Sequence, residues 1–166
     1  MKTTALDAPP GAKSPDIEAY QQAIKTGPAS ADRFVVLVGL APQGPIKMVR
    51  RTRKGLAFRT VERFQKNTGL STRDLAEVVD IKMRTLHRRK EQGRLEPGES
   101  DRLLRIARIF GKALELFEGD ADAARQWLST AQAALGGEKP LALAKTDLGA
   151  REVEALVDRL EHGVLT

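Results

Sequence analysis

The chain has 166 residues, carries a formal net charge of +6 and contains no cysteine. This length suits one domain or two small domains that share a core, and the lack of cysteine excludes disulfides and thiolate metal sites. Residues 1–94 contain 19 Lys and Arg against 9 Asp and Glu, whereas residues 95–166 contain 9 against 13. The basic first half therefore predicts contact with a polyanion, and the acidic second half predicts a different task.

Residues 1–31 are predicted to form a loosely attached N-terminal arm, because four prolines interrupt them and their periodicity is weak. The arm contains one weakly helical segment, PDIEAYQQAIK, in which Ile17, Tyr20 and Ile24 share a face. The apolar run DRFVVLVGL follows. Periodicity alone leaves open whether this run is a buried strand or the start of a helix.

From residue 45 onward the pattern is helical almost throughout. The segment PIKMVRRTRK begins with Pro45 at a first helical position and ends before Gly55. The segment AFRTVERFQKNTG places three apolar residues on one face and ends at Gly69. The segment STRDLAEVV begins with Ser71 and Asp74 at the spacing of a capping box. These patterns predict three short helices before residue 80.

Residues 71–93 have the pattern of a helix-turn-helix, in which two short helices are joined by a tight turn. Leu75 faces inward from the first helix, Ile81 fills the turn and Leu86 faces back from the second helix. Asp80 stands where such turns often have Gly, and Asp tolerates left-handed backbone better than most residues. The second helix, KMRTLHRRKEQG, is predicted to present its basic face to a DNA major groove. The alternative is an ordinary solvated helix face.

The candidate DNA-contacting residues of this helix are Lys82, Met83, Arg84, Thr85, His87, Arg88 and Arg89. Arg84 and Arg88 are predicted to read guanine edges, because a guanidinium fork matches O6 and N7. Contacts to phosphates, which set affinity and register, are predicted for Arg50, Arg51, Arg53, Lys54 and Lys90, and also for Arg89 and Arg94. The scarcity of aromatic residues argues against RNA as the ligand.

The second half contains three further helical segments. The segment PGESDRLLRIARIFGKALELF carries an apolar stripe from Leu103 to Phe117, which fits the core, a dimer contact or a contact between the two regions. The segment DADAARQWLSTAQAALGG is interpreted as one helix with a stripe from Ala124 to Leu135. The last segment, TDLGAREVEALVDRLEHGV, aligns Leu148 with four later apolar residues and ends at Gly163.

Several motifs in residues 34–166 together resemble one known family. They are RTLHRRKEQGRL, ESDRL, Trp127-Leu128, ALGG, KPL, the T-x-x-G-A-R-x-V pattern from Thr146 to Val153, and the closing HGV. In this order they resemble the Xre/ParS-type antitoxins of bacterial type II RES–Xre toxin–antitoxin systems. The proline that usually follows Trp-Leu in that family is absent here.

The resemblance implies an all-α fold, in which an Xre-like helix-turn-helix domain precedes a C-terminal helical toxin-binding domain. We divide the chain into an N-terminal arm over 1–31, a DNA-binding region over 32–95 and a dimerisation and toxin-binding region over 96–166. The implied protein is a homodimer that binds double-stranded operator DNA and represses its own operon. It is also implied to neutralise a RES-domain, NAD-consuming toxin by covering the toxin's active site with its C-terminal segment.

The candidate toxin-contacting residues hold the matching motif positions: Thr146, Gly149, Ala150, Arg151, Arg159, Glu161, His162, Gly163 and Val164. A pocket that binds the phosphates of NAD would accept a cation, so Arg151 or Arg159 is predicted to enter it. Thr146 fits equally well as a helix N-cap, and Arg159 as a solvated charge at a helix C-terminus.

An enzyme is not expected, because the only two histidines lie in different segments and no Gly-rich phosphate loop enters a helix. No metal site and no cofactor are expected. The remaining alternative is a standalone dimeric helix-turn-helix transcriptional regulator. The N-terminus lacks the apolar core of a signal peptide, and no apolar run is long enough to span a bilayer. We therefore expect the protein in the cytoplasm, and on the nucleoid when it is bound to DNA.

Overall fold

The computed structural model describes residues 13–27 and 31–163. Within these ranges the chain forms α-helices and short 3-10 helices without any strand, which confirms the all-α class. The α-helices are α1 Pro15–Thr26, α2 Pro45–Arg53, α3 Arg59–Thr68, α4 Thr72–Val78, α5 Met83–Gln92, α6 Pro97–Leu116, α7 Ala121–Leu128, α8 Pro140–Leu143 and α9 Asp147–Glu161. The 3-10 helices are Arg33–Val38 and Ala133–Leu135.

Helix α6 is the central element, and α2, α3, α7 and α9 all pack against it. Its apolar stripe is buried within the chain, with Leu103, Ile106 and Phe110 fully inaccessible. Phe110 meets Phe64 of α3 edge to face, with ring centroids 6.0 Å apart. The stripe is therefore core, and its interpretation as a dimer contact is wrong.

The N-terminal helix α1 is part of this core. Ile17 and Tyr20 are each only 2% exposed, and the Ser14 hydroxyl caps the helix by accepting from the backbone N–H of Ile17. Asp16 forms an ion pair with Arg63 of α3. The expectation of a loosely attached arm is thus wrong for residues 13–27, whereas residues 1–12 and 28–30 of that arm lie outside the described residues.

The apolar run that sequence patterns left undecided is the 3-10 helix Arg33–Val38. It lies between α1, α3 and α6, and three of its side chains are buried: Val35, Leu37 and Val38. The run ends at Gly39, whose φ of 76° reverses the chain direction. Its packing between three helices, with no neighbouring strand among the described residues, selects the 3-10 conformation for this short run.

Helices α4 and α5 form the predicted helix-turn-helix, and α3 precedes it. Gly69 ends α3 in the left-handed conformation, and the Ser71 hydroxyl caps α4 by accepting from Asp74 N–H at 3.0 Å. Asp80 has a φ of 54° in the turn, as expected of a residue in the glycine position. Leu75 and Leu86 are both buried, which confirms the inward faces of α4 and α5.

Helix α7 is shorter than predicted, because it ends at Leu128 and does not continue to Leu135. The side-chain amide of Gln132 donates to the carbonyls of Trp127 and Thr130 at 3.2 and 3.1 Å, which terminates the helix. The next turn contains Gly136 and Gly137, whose φ values of 67° and 82° let the chain fold back. The hydrogen bonds from the Gln132 side chain thus end α7 in place of the proline that the family usually has after Trp-Leu.

Helix α9 packs along α6 through Val153, Leu156 and Val157, all of which are buried. Leu148 was predicted to share this apolar face, but it is 73% exposed. The reason is that Leu148 lies in the first turn of α9, where Gly149 and Ala150 occupy the buried positions.

Candidate functional site

Helix α5 presents a cationic face to the surface. Lys82, Arg84, His87 and Arg88 are all exposed, Met83 is 39% exposed, and Thr85 is half-buried. The exposed residues recur at spacings of three and four, so their side chains share one side of the helix. Apart from Arg89, the structure therefore keeps the predicted DNA-contacting set accessible.

The opposite side of α5 is held against the protein. Leu86 is 4% exposed, and Ile81 in the turn donates its backbone N–H to the carbonyl of Ala76 at 2.9 Å. Arg102 of α6 donates to the carbonyl of Val79 at 2.6 Å. This hydrogen bond was not predicted from the sequence, because Arg102 and Val79 are 23 positions apart and belong to different segments.

Arg89, unlike the rest of the predicted DNA-contacting set, points inward and pairs with Glu99 of α6. Its Nε donates to Glu99 Oε2 at 2.8 Å and its Nη2 to Oε1 at 3.0 Å, and the two side chains are only 11% and 9% exposed. Burial raises the pKa of the Glu99 carboxyl. The hydrogen bonds from Arg89 and from the backbone N–H of Glu96 more than offset this, so the net pKa lies below its usual value.

The basic helix α2 ends beside the end of α5. Arg50, Arg53 and Lys54 are exposed and Arg51 is half-buried. Arg94, which follows α5, donates its Nη1 to the carbonyls of Lys54 and Gly55 at 3.0 and 3.2 Å. These bonds occupy one nitrogen of Arg94 and bring the two basic segments together.

The close approach of these segments depends on Gly55, whose φ is 80° and whose Cβ, if present, would overlap the Leu95 carbonyl oxygen. Lys90 is the other predicted phosphate contact. It is 66% exposed, and its ammonium lies 3.6 Å from Glu62, so it stays available at the surface.

The α9 helix is fastened to α6 by polar contacts as well as by its apolar face. Lys112 forms a 2.8 Å ion pair with Asp158, and Arg108 pairs with Glu154. The ammonium of Lys112 has a raised pKa, chiefly because of its hydrogen bond to Asp158, and burial opposes this. These pairs orient α9 with its remaining polar residues outward.

The start of α9 corrects part of the predicted toxin-contacting set. The Thr146 hydroxyl accepts from Gly149 N–H at 3.0 Å, so Thr146 is a helix N-cap. Gly149 and Ala150 are buried, and a Cβ on Gly149 would overlap the Leu143 carbonyl oxygen. These two residues therefore shape the turn from α8 into α9.

Other members of that set remain accessible. Arg151 is 72% exposed and pairs with Asp147 at 2.9 Å, whereas Arg159 is half-buried. Glu161, His162 and Gly163 are exposed, and His162 Nδ1 lies 2.7 Å from the carbonyl of Asp158. Burial, followed by the nearby charge of Glu115, raises the pKa of the Glu161 carboxyl. Val164 lies outside the described residues.

A surface groove of about 480 Å³ between α2, α6 and the start of α9 was not anticipated. Val49 of α2 and Asp147 of α9 both line it. Val49 is 47% exposed, and Leu148, adjacent to Asp147, is 73% exposed. In the part of the chain that the structure describes, no group of His, Cys, Asp or Glu is placed to hold a metal ion.

The fold and these surfaces define a helix-turn-helix protein that carries an appended helical domain. Family models match both parts: residues 47–108 match the antitoxin Xre-like helix-turn-helix domain, and residues 112–163 match the antitoxin Xre/MbcA/ParS C-terminal toxin-binding domain. The chain belongs to the Xre antitoxin family. It is thus an antitoxin with a helix-turn-helix domain and a toxin-binding domain, and not an enzyme.

Curated relatives support the same family. The chain is 32% identical over 130 residues to an antitoxin Xre of Yersinia enterocolitica, covering 78% of this chain and 88% of the relative. It is also 32% identical over 114 residues to an antitoxin Xre of Photorhabdus laumondii, covering 68% and 77%. An antitoxin Xre of Pseudomonas putida is 36% identical over 84 residues, covering 50% and 52%.

Proposed function

We propose that this antitoxin neutralises a RES-type, NAD-consuming toxin and represses its own operon by binding operator DNA as a homodimer in the cytoplasm. The C-terminal segment, from the end of α9 onward, covers the toxin's active site. Helix α5 enters the major groove of the operator. The observation that carries the proposal is the division of one chain into an exposed cationic recognition helix and a separate α9 that belongs to a toxin-binding domain.

The DNA side of the proposal rests on the accessibility of α5. Arg84 and Arg88 are exposed on the side opposite Leu86 and reach guanine edges as bidentate donors. Lys82, His87 and Lys90 flank them, and Arg50 and Arg53 of α2 contact phosphates beyond the end of α5. Because one helix-turn-helix reads one half-site, two copies related by a two-fold axis read a palindromic operator.

The toxin side rests on the outward residues of α9. Arg151 and Arg159 are eight positions apart, which is about 12 Å along a helix and a different side of it, so one pocket accommodates only one of them. Arg159 is the stronger candidate, because Arg151 already pairs with Asp147 and Arg159 adjoins the C-terminal segment. Its guanidinium occupies the phosphate-binding part of the toxin's NAD site.

The test is co-expression with the product of the adjacent reading frame, scored by growth and by co-purification. Truncation after Gly137 is a poor test, because it removes α9 and exposes the apolar face of α6. Surface variants avoid this problem. We expect the neighbouring product to be toxic alone and to be rescued by the full chain and by Arg151→Ala, whereas Arg159→Ala rescues poorly.

Each failure of this experiment has a separate meaning. If the neighbouring product is harmless and does not co-purify, the chain is a standalone dimeric regulator in its own operon and the RES assignment is wrong. If Arg151→Ala loses rescue and Arg159→Ala keeps it, the proposed cation is wrong and the start of α9 enters the cleft. Light scattering of the purified chain tests the homodimer independently.

A further inference from the structure

The ion pair between Arg89 and Glu99 connects the recognition helix to the first turn of α6. Arg89 lies on α5 beside the DNA-facing Arg88, yet its guanidinium points inward and binds both carboxylate oxygens of Glu99. Bidentate pairs of this kind fix the relative direction of two elements as well as their distance. The positive charge of Arg89, which the sequence pattern assigns to DNA binding, is thus paired inside the protein.

The rest of α5 explains why such a connection matters. Leu86 is its one buried side chain, and Ile81 supports the preceding turn. At the C-terminal end of the helix, Gly93 accepts the backbone N–H of Phe58 and Leu95 donates to the carbonyl of Leu56, both at 2.9 Å. Arg89 lies three positions after Leu86 on the same side of the helix, so its ion pair adds a side-chain contact between these two anchors and fixes the tilt and rotation of the last turns.

The partner side of the pair is itself held in place. Glu99 Oε2 accepts the backbone N–H of Glu96 at 2.8 Å, so the same carboxylate caps α6 and binds Arg89. The next residue, Ser100, is fully buried and accepts the backbone N–H of Leu56 at 2.9 Å. The Glu99 carboxylate is therefore held in place by the first turn of α6, and it orients the side chain of Arg89.

We infer that Arg89 and Glu99 are positioning residues, which set the tilt of α5 so that Arg84 and Arg88 reach base edges in register. This inference rests on the proposed DNA-binding function. It separates two neighbouring arginines by role: Arg88 contacts the nucleic acid, and Arg89 never does. Base readout requires the correct tilt, because a bidentate arginine must align both of its bonds with one base edge. A contact to phosphate carries no sequence information and can be made to another oxygen of the backbone when the helix tilts.

The experiment compares Arg89→Met, Glu99→Gln and the double variant that carries both substitutions, using Arg88→Met as the matched control. Two DNA probes are titrated across a series of salt concentrations: the duplex upstream of the chain's own reading frame, and a random duplex of equal length. Circular dichroism and thermal unfolding of each variant check the fold.

We expect Arg89→Met and Glu99→Gln to weaken binding to the upstream duplex by about tenfold, the cost of one misplaced base contact, while binding to the random duplex stays unchanged. The dependence of log K on log salt keeps its wild-type slope, because no phosphate contact is lost. The double variant loses no more affinity than either single variant, because both substitutions break the same ion pair. Arg88→Met, in contrast, loses a base contact of its own.

Three results would overturn the inference. A salt slope that falls by about one ion in Arg89→Met but not in Glu99→Gln makes Arg89 a direct phosphate contact. Equal losses on both duplexes together with a lower melting temperature make the pair merely structural. Wild-type affinity for both duplexes in all three variants would show that the Arg89–Glu99 pair has no role in DNA binding. If wild type itself does not prefer the upstream duplex, the proposed DNA-binding function has failed first, and this inference fails with it.

Discussion

The hydroxyl of Tyr20 donates a 2.6 Å hydrogen bond to Oε1 of Glu115 and so joins the N-terminal helix to α6. Burial, with the neighbouring carboxylate, raises the pKa of Tyr20 far above its usual value, so the phenol remains a donor at any physiological pH. Gly111 makes this contact possible, because a Cβ there would lie 2.6 Å from the hydroxyl oxygen. Helix α1 is therefore an integral part of the antitoxin fold.

Gly111→Ala is expected to destabilise the protein by about 1–3 kcal/mol, because the added methyl group displaces Tyr20 from a packed site. Urea unfolding followed by circular dichroism measures the loss. Gly98→Ala is the matched control on the same helix, where the nearest atom to an added Cβ is Arg102 Nη1 at 3.6 Å. Gly98→Ala should leave the free energy of unfolding unchanged or raise it slightly, because alanine has a higher helix propensity than glycine. Equal effects of the two substitutions would contradict the packing of Tyr20 on Gly111.

The stability of the protein should fall in acid partly through Asp16. The hydrogen-bonded guanidinium of Arg63 holds the pKa of Asp16 below its ordinary value of 3.8, against the opposing effect of burial and with help from Asn67. A carboxyl whose folded pKa is depressed stabilises the fold fully above its unfolded pKa, and this stabilisation is lost as pH falls through the folded value. The decline therefore lies below pH 3.8.

The comparison for Asp16 is Asp16→Asn, measured by urea unfolding between neutral pH and pH 2. The variant should be less stable than wild type at neutral pH and should approach it at the acid end, because asparagine does not titrate. A constant difference between the two proteins at every pH would show that the ion pair with Arg63 does not contribute through the charge of Asp16.

The basic surface of α2 is predicted to contact phosphates only. Replacing Arg50 and Arg53 together with Ala should weaken binding to the upstream duplex and to a random duplex by the same factor. The slope of log K against log salt should become shallower by about two ions, one for each lost contact. Arg84→Ala should instead lower the preference for the upstream duplex, by about 1–3 kcal/mol for a lost bidentate base contact. A sequence-selective loss in the α2 double variant would place α2 in a groove.

Leu148 is predicted to contact the toxin, because it is 73% exposed within the region that matches the toxin-binding domain. Leu148→Ser should weaken toxin binding by about tenfold, in the range of an apolar interface anchor, without lowering the melting temperature. Val49→Ser is the matched control, since Val49 is 47% exposed but belongs to the helix-turn-helix region. Calorimetric titration with the purified toxin measures the toxin affinity of both variants. If only the Val49 variant loses affinity, the toxin sits on α2 instead.

Local sequence signals predicted most of the helices, because their causes lie within a few residues. Ser71 caps α4, Gly69 ends α3, and the stripe of α6 is buried as its spacing requires. The helix-turn-helix was predictable for the same reason, since Leu75, Ile81 and Leu86 are close in the chain. The run from Arg33 to Val38 was undecided, because its five consecutive apolar residues fit several conformations and only the packing partners select one.

The amino-acid sequence by itself determined the fold class, the helix-turn-helix and the concentration of positive charge in the first half of the chain. These properties follow from residue identity and from spacings of three and four, which are the same in any surroundings. Only the tertiary structure decided which charges are available. Arg88 is exposed and Arg89 is paired, although they are adjacent, because Glu99 lies ten positions further along the chain and reaches one side of α5 alone. A contact between distant segments depends on how the helices pack, and no local pattern contains that information.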